Sequence, residues 1–401
     1  MQFPSISVVN VGVVMFTQVK PLTYNPQFDG LRFCAVLLVA SYHWIPGISQ
    51  IERSFFFGGM VNFFFVLSGY LITRILFTAK MKGIQHQTPT YKVIARFWFR
   101  RVIRIFPLYY FFLCVCVLLP VIGTEVRNNA ASYFLYFTNL HLVKAQYWPE
   151  ITAHFWTLDV EEQFYLLWPF FIIFIPQRHL LKAFMAIIVS GILLKLFSYR
   201  PVFPVPLDIL TRYNINAFAV GGILAYKYTA VTEKERRFIN KCFNIVFYTG
   251  IPICLAIIIT KSYYFSFVYN RFLFAVFSMK IIEGAITGYK NYFGKFLENR
   301  IVLYLGRISY GIYVWHLFIP VLFWTFFNIT YTRLNHAFPS FFIEHQQGIS
   351  LINQIMSSAT VCFIIYSALT VSAAVISWNL IEKPFTKLKS LVPGSSQYSF
   401  N

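Results

Sequence analysis

The sequence predicts an all-α fold, a polytopic membrane helix bundle of about ten transmembrane helices. Of its 401 residues 58% are hydrophobic and only 12% are charged, whereas ordinary soluble domains carry about 25% charged residues. Apolar runs of about 20 residues, the length that an α-helix needs to cross a bilayer, succeed one another along the chain. This composition excludes an ordinary soluble globular domain.

The spans follow in order from the apolar runs and from the prolines and charges that interrupt them. Pro46 ends the first span, basic loops precede the third and the ninth, and Pro176 turns the chain between the fourth and the fifth. We expect an N-terminal extension over 1–27, a transmembrane domain over 28–386 and a C-terminal tail over 387–401. The predicted spans are 31–46, 57–78, 105–123, 154–175, 180–198, 209–228, 242–260, 264–286, 302–325 and 355–380.

The charge pattern predicts an orientation and argues against nucleic acid. The net charge is +20, but the basic residues form no patch with interleaved aromatic side chains, so we expect no nucleic-acid partner. They concentrate in alternate loops, which predicts a multi-pass protein of the cell (inner) membrane with both termini in the cytoplasm. The six cysteines fall within predicted spans and lack metal-ligand spacing, so we expect neither a disulfide framework nor a metal site.

The first span carries an arginine near its start and a histidine near its end. Arg32 and His43 are eleven residues apart, so on a helix they share a face and lie about 16 Å apart along the axis. Arginine offers forked donors suited to phosphates, and histidine can take a proton from a hydroxyl near neutral pH. The alternative is a satisfied interfacial histidine beside Trp44, and for Asp29 we favour the helix N-cap.

The fourth span begins with an unusual density of ionisable residues. His154 and Glu161 share one helix face, and Asp159 and Glu162 share a neighbouring one. Complementation of the helix dipole explains a carboxylate at the interface well and a deep one poorly. We therefore favour a functional role for Glu161.

The stretch before the third span holds four arginines, Arg96, Arg100, Arg101 and Arg104. If this stretch is helical, three of them follow one another at about one turn and the fourth lies beside them. Two interpretations of these arginines remain open, a clamp for nucleotide phosphates and ordinary anchoring by the positive-inside rule.

The ninth span contains Ser309 and His316, which share a helix face at a spacing of seven residues. No acidic residue stands near them in sequence to orient the histidine. We therefore favour a role in helix packing with buried hydrogen bonds.

Taken together, these stretches resemble the acyltransferase-3 family of integral membrane O-acyltransferases over nearly the whole chain. Any one of the motifs is weak, but six in the same order are specific. One departure is Phe33, where many relatives carry glycine. The matching stretches are the Arg-x10-His element from Arg32 to His43, residues 64–72, 100–107 and 156–165, the stretch 309–316 and the stretch 381–385.

The resemblance implies a cytoplasmic acyl-CoA donor, usually acetyl-CoA, and O-acylation of a glycan or lipid-linked sugar beyond the membrane, without a metal. The acceptor is open among a lipopolysaccharide sugar, peptidoglycan, capsule, a lipid-linked oligosaccharide and a small molecule. The acyl length, the oligomeric state and the choice between direct transfer and an acyl-enzyme on a histidine or tyrosine are open too. We expect His43 to act as general base together with Glu161. The expected donor-binding residues are Arg32, Arg100, Arg101 and Arg104, and the expected substrate-binding residues are Asp159, Glu162, His154 and Tyr70.

Two other classes of function compete with this prediction. In a multi-pass transporter or flippase of a glycan-biosynthesis system, the intramembrane ionisable residues would bind an ion or the transported substrate. Such a protein would move its solute without consuming a thioester. A subunit that only scaffolds a glycan-synthesis complex would keep its activity when Arg32 is replaced by alanine.

Overall fold

The computed structural model of the chain describes residues 23–45, 58–120, 122–198, 204–229, 231–340 and 358–388, with a few isolated positions between 345 and 356. Over these residues the chain is mostly helical and forms no strand, which confirms the all-α class. The longer helices are α1 (Pro26–Trp44), α2 (Gly58–Gln85), α3 (Thr90–Leu118), α4 (Trp156–Phe174), α5 (Gln177–Ser198), α6 (Thr211–Lys227), α7 (Glu233–Thr260), α8 (Arg271–Thr287), α9 (Ser309–Trp315), α10 (Phe318–Ala337) and α11 (Ala359–Ser377).

Each of the ten predicted spans overlaps helix within the described residues, but the number ten is not confirmed. In the part of the chain that the structure describes, five helices are long and apolar enough to cross a membrane, namely α2, α3, α5, α7 and α11 with its continuation to Lys387. The bent pair of α9 and α10 makes a sixth if the two count as one span. The remaining long helices, α1, α4, α6 and α8, have only 17 to 19 residues each. Of these four, α1 carries Arg32 and His43, and α4 carries the carboxylates of the site.

The stretch predicted as a basic loop before the third span is helical. The second helix continues to Gln85, the third already begins at Thr90, and Pro107 lies inside the third helix. Lysine and arginine are good helix formers, so leaving the apolar part of a helix does not end it. The apolar part of a helix indicates which residues can be buried in lipid, but it does not indicate where the helix ends.

The ninth span is broken rather than continuous. The two helices α9 and α10 meet at His316–Leu317 with a bend of 47°. The residue four positions after His316 is Pro320, which has no N–H to donate to the His316 carbonyl. The indole Nε1–H of Trp44 donates to that carbonyl instead, at 2.9 Å. The end of α1 is thereby tied to the break.

The bundle centre is the close contact of α2 with α6. A Cβ on Gly221 would lie 2.1 Å from the carbonyl oxygen of Val66, and one on Gly69 would lie 2.4 Å from that of Phe218. Small residues let two membrane helices approach until their backbones touch. The ring of Phe218 stacks on Phe164 of α4 with a centroid distance of 3.8 Å, so α4 packs on the same centre.

The first helix is positioned by backbone contacts at its start. A Cβ on Gly30 would meet the carbonyl oxygen of Leu297 at 2.4 Å, and one on Gly306 would meet that of Asp29 at 2.0 Å. The glycine beside Arg32 is therefore needed for close packing of α1 against the helices Tyr292–Leu297 and Arg300–Arg307. The expected extension before residue 23, the hairpin 48–56, residues 201–203 and the tail after 388 lie outside the described residues.

Candidate functional site

Two groups of polar residues lie at the two ends of α1. We call the group around Arg32 the arginine end and the group around His43 the histidine end. Eleven residues of helix separate these two side chains, about 16 Å along the axis. This spacing agrees with the prediction from the sequence.

At the arginine end, Arg32 is paired within its own helix. Its Nη1 donates to Oδ1 of Asp29 at 2.6 Å, and the Tyr24 hydroxyl donates to Oδ2 of the same carboxylate at 2.7 Å. Burial of the Tyr24 hydroxyl, together with the neighbouring carboxylate, raises the pKa of Tyr24, so it stays a donor at neutral pH. The Asp29 carboxylate therefore fixes the direction of the Arg32 guanidinium.

The prediction that Asp29 caps α1 is wrong. The helix begins at Pro26, and the N-cap is Asn25, whose side chain accepts from the backbone N–H of Gln27 at 3.0 Å. Proline is favoured in the first helical turn because its missing N–H is not needed there. Asp29 lies inside the first turn, where its charge is favourable.

The arginines of α3 add two cations that lack a carboxylate partner. Arg101 packs between the rings of Phe97 and Tyr165, with its guanidinium carbon 5.7 Å from each centroid. The charges of Arg104 and Arg32 act on it, so the three cations lie near one another. Among the described residues, no carboxylate oxygen lies within 4 Å of Arg101 or Arg104. Their charge is therefore available to an anion.

More arginines were predicted to bind the donor than the structure brings together at the arginine end. Arg96 and Arg100 lie on the same helix α3, half-buried. Arg101, which the spacing placed beside the row of one-turn arginines, is the one that packs into the bundle against α4. The row is helical, so the condition on which the shared face depended is met, although the stretch was predicted as a loop.

Glu161 lies at the arginine end. Its carboxylate accepts a hydrogen bond from Ser68 of α2 at 3.1 Å and one from the Tyr165 hydroxyl at 3.0 Å. The charges of Arg101 and Arg104 act on it as well. Tyr165 thus connects Glu161 to the ring face that supports Arg101. The structure therefore brings Arg32, Arg101 and the Glu161 carboxylate into one group.

The two other carboxylates of α4 differ in their surroundings. Glu162 lies close enough to Glu161 and Arg101 for their charges to act on it, and its Oε1 is buried without a hydrogen bond in the described part of the chain. Asp159 is fully buried, and its Oδ2 accepts the backbone N–H of Asn139 at 2.7 Å. A carboxylate there caps the start of the helix Thr138–Ala145. Its contacts support a structural role and give no support to the predicted contact with substrate.

Tyr70 was predicted to bind substrate, and the structure places it in a helix interface. Its side chain is 3% exposed, and its ring packs edge-on against Phe28 of α1 with a centroid distance of 5.9 Å. In this position it contributes to the packing of α1 on α2.

At the histidine end, three histidines from three parts of the chain meet. The ring centroid of His43 lies 5.2 Å from that of His316, and His316 lies 4.7 Å from His154. His316 is fully buried and His154 is 4% exposed, whereas His43 is the exposed member. Tyr313 packs against both buried rings, and its hydroxyl donates to the carbonyl of His154 at 3.0 Å.

His316 was predicted to take part in helix packing and not to belong to this group. Nothing in its spacing from Ser309 indicates that a break in the helix turns it toward α1. The signal that would have found it is the proline four residues later, which predicts a free carbonyl and a bend at a polar residue within an apolar span. Within the described residues, no group of three or more His, Cys, Asp or Glu side chains is arranged to hold a metal ion.

Comparison with known proteins agrees with this arrangement of motifs. The family described as Acyltransferase domain, Acyl_transf_3, matches residues 25–380. The chain is 26% identical over 386 residues to O-acetyltransferase OatA of Staphylococcus aureus, covering 91% of this chain and 57% of the relative. It is 30% identical over 316 residues to peptidoglycan O-acetyltransferase OatA of Listeria monocytogenes, covering 73% of this chain and 49% of the relative.

The chain spans about half the length of these curated relatives. No solved structure matches it. The family match takes in both the arginine end and the histidine end, together with the eleven helices named above. The chain belongs to the acyltransferase-3 family.

Proposed function

We propose that this chain is a membrane O-acetyltransferase that moves an acetyl group from acetyl-CoA to a hydroxyl of a cell-envelope glycan. The observation that carries this proposal is the pair of groups at the two ends of α1: at one end, cations of α3 that have no carboxylate within 4 Å among the described residues, and at the other an exposed histidine. The names of the relatives favour peptidoglycan as the acceptor over lipopolysaccharide. The orientation expected from the charge pattern puts the arginine end at the cytoplasm and the histidine end toward the acceptor.

The arginine end would hold the phosphates of the donor. Arginine forks bind phosphate oxygens in pairs, and Arg101 and Arg104 have no carboxylate within 4 Å in the described part of the chain. Arg32, held by Asp29, adds a third cation whose direction is fixed. The pantetheine arm is an extended chain, which would carry the thioester from there along α1 toward His43.

At the histidine end, His43 would act as general base. A ring nitrogen of His43 takes the proton of the acceptor hydroxyl while the hydroxyl oxygen attacks the thioester carbonyl carbon. The C–S bond then breaks, the ester remains on the acceptor, and the CoA thiolate takes the proton back from His43. His43 suits this role because it is the exposed ring of its group and lies on the same helix as the donor-side arginine.

Glu161 would act as a positioning residue in this scheme. The sequence suggested that it orients His43, but its hydrogen bonds go to Ser68 and Tyr165 at the arginine end. There it holds the Tyr165 ring under Arg101 and balances part of the cationic charge when no donor is bound. His154, at the histidine end, and Glu162, beside Glu161 and Arg101, would contact the substrates in this scheme.

The test is a transfer assay with the purified chain in detergent or proteoliposomes. Label from [14C]acetyl-CoA should enter a peptidoglycan fragment with wild-type protein and stay in the thioester with the His43→Ala variant. A transporter or flippase would move glycan across the vesicle membrane without consuming acetyl-CoA. Export without thioester cleavage would therefore overturn the proposal in favour of that class.

A further inference from the structure

We propose that His316 is the positioning residue of His43, and that its Nε2 accepts a hydrogen bond from the ring N–H of His43. This inference rests on the proposed function, because it names the group that orients the proposed base. The second ring nitrogen of His43 is then the one that faces the acceptor hydroxyl. His316 thus takes the place that a carboxylate has in the better-known pairs of base and orienting group.

The tautomer of His316 follows from its own helix. Its Nδ1 lies 2.6 Å from the carbonyl oxygen of Tyr313, and a carbonyl oxygen only accepts, so Nδ1 carries the hydrogen. In the neutral ring Nε2 then has a lone pair. That nitrogen is buried and has no hydrogen-bond partner in the described part of the chain. A buried acceptor without a donor is costly, so its position calls for a donor from a neighbouring group.

Two imidazole rings from other parts of the chain flank His316: the buried ring of His154 at a centroid distance of 4.7 Å, and the exposed ring of His43 at 5.2 Å, with the ring planes inclined by 52°. We assign the donor to His43, because an exposed ring can meet an acceptor hydroxyl while it contacts His316. The other titratable groups at this end are His154, which packs on His316 at 4.7 Å, Tyr313, which packs on both, and Tyr42, which packs on His43. His43 lies on α1, the helix that also carries Arg32.

The backbone holds the two rings in register. The Trp44 indole donates to the carbonyl of His316 at 2.9 Å. Trp44, which follows the proposed base in the chain, is therefore hydrogen-bonded to His316, the residue that would orient that base. The carbonyl is open to this contact because Pro320 supplies no N–H to it. The break between α9 and α10 thus provides both the buried ring and the anchor for α1.

In the reaction, the proton of the acceptor hydroxyl moves to the ring nitrogen of His43 that bears no hydrogen, and the ring becomes an imidazolium. Its other N–H, now more acidic, donates more strongly to the lone pair of His316 Nε2. When the C–S bond of the thioester breaks, the proton returns from His43 to the CoA thiolate. His316 ends the cycle in the tautomer in which it began, so no further proton donor or acceptor is required.

Two amide variants separate this role from packing. In His316→Asn the amide reaches about the position of Nδ1, so it can keep the bond to the Tyr313 carbonyl while the acceptor at Nε2 is lost. In His316→Gln the amide oxygen reaches about the position of Nε2, so the acceptor is kept. We expect His316→Asn to lower kcat at least about 30-fold with the KM for acetyl-CoA unchanged, and His316→Gln to restore most of it.

The opposite ranking would overturn the inference, because a residue needed only for packing at Tyr313 would tolerate asparagine better than glutamine. His179→Asn, an exposed histidine outside both groups, is the matched control and should keep wild-type kcat. Size-exclusion chromatography and thermal unfolding in detergent show whether each variant is folded. If wild-type protein transfers no acetyl group, the proposed function fails; if it does and His316→Asn matches it, only this inference fails.

Discussion

Replacing Trp44 with phenylalanine removes one hydrogen-bond donor and keeps an aromatic ring. The lost bond is the one from the indole Nε1–H to the carbonyl of His316. That residue is fully buried, and Pro320 offers no replacement N–H. A buried carbonyl left unpaired costs about 1–3 kcal/mol. The ring contacts of Trp44 with Phe363 and Tyr366 are ones that phenylalanine can largely keep.

We expect the Trp44→Phe variant to lose stability by that amount and to lower kcat roughly tenfold, since about 1.4 kcal/mol corresponds to a factor of ten in rate. The KM for acetyl-CoA should not change, because the arginine end is untouched. The assay is CoA release and label transfer at saturating acceptor, with thermal unfolding measured on the same preparation.

Trp324→Phe is the matched control, since its indole also donates a hydrogen bond, to the Tyr366 hydroxyl at 2.5 Å, away from the histidines. It should lose stability and keep its kcat. An equal loss of kcat in both variants, or no loss in Trp44→Phe, would show that the tie between α1 and the helix break does not position the base.

Three further substitutions test other parts of the structure. Arg101→Ala should raise the KM for acetyl-CoA about tenfold or more, because a charge-assisted hydrogen bond contributes about 1.5–3 kcal/mol. Arg178→Ala, at the exposed start of α5, should leave this KM unchanged. Glu161→Gln has one acceptor oxygen and cannot accept from both Ser68 and Tyr165, so Tyr165 is held less firmly under Arg101 and we expect a several-fold lower kcat/KM for the donor in steady-state kinetics. Gly221→Ala should destabilise the protein by about 1–3 kcal/mol or prevent folding, because its Cβ would lie 2.1 Å from a backbone oxygen of α2. Gly83→Ala, whose closest contact would be a side chain at 3.1 Å, is the control in thermal unfolding.

The sequence was sufficient for the class of fold and for the places of the helices. Apolar length and the spacing of Arg32 and His43 depend only on helix geometry, so they are local properties that a sequence displays. Helix ends were less predictable, because the arginines of α3 are as compatible with helix as with loop. The break at His316 is predictable only from the fact that Pro320 lacks the N–H that would otherwise donate to the His316 carbonyl.

The membership of the site was harder to predict than its position. The shared face of His154 and Glu161 suggested that they act together, but tertiary packing assigns them to opposite groups, with His316 on one side and Ser68 on the other. Asp159 shows the same limit. Its carboxylate caps a short helix that lies 20 residues earlier in the chain, and no local pattern indicates that contact.

The most direct measurement is acetyl transfer by purified protein reconstituted into vesicles with acetyl-CoA supplied on one side and a peptidoglycan fragment on the other. We expect wild-type protein to acetylate the fragment across the bilayer only when acetyl-CoA is on the side of the arginine end. We expect Arg101→Ala to require more donor and His43→Ala to transfer nothing at any donor concentration. Transfer that survives in His43→Ala, or that needs donor and acceptor on the same side, would contradict the division of the site between the two ends of α1.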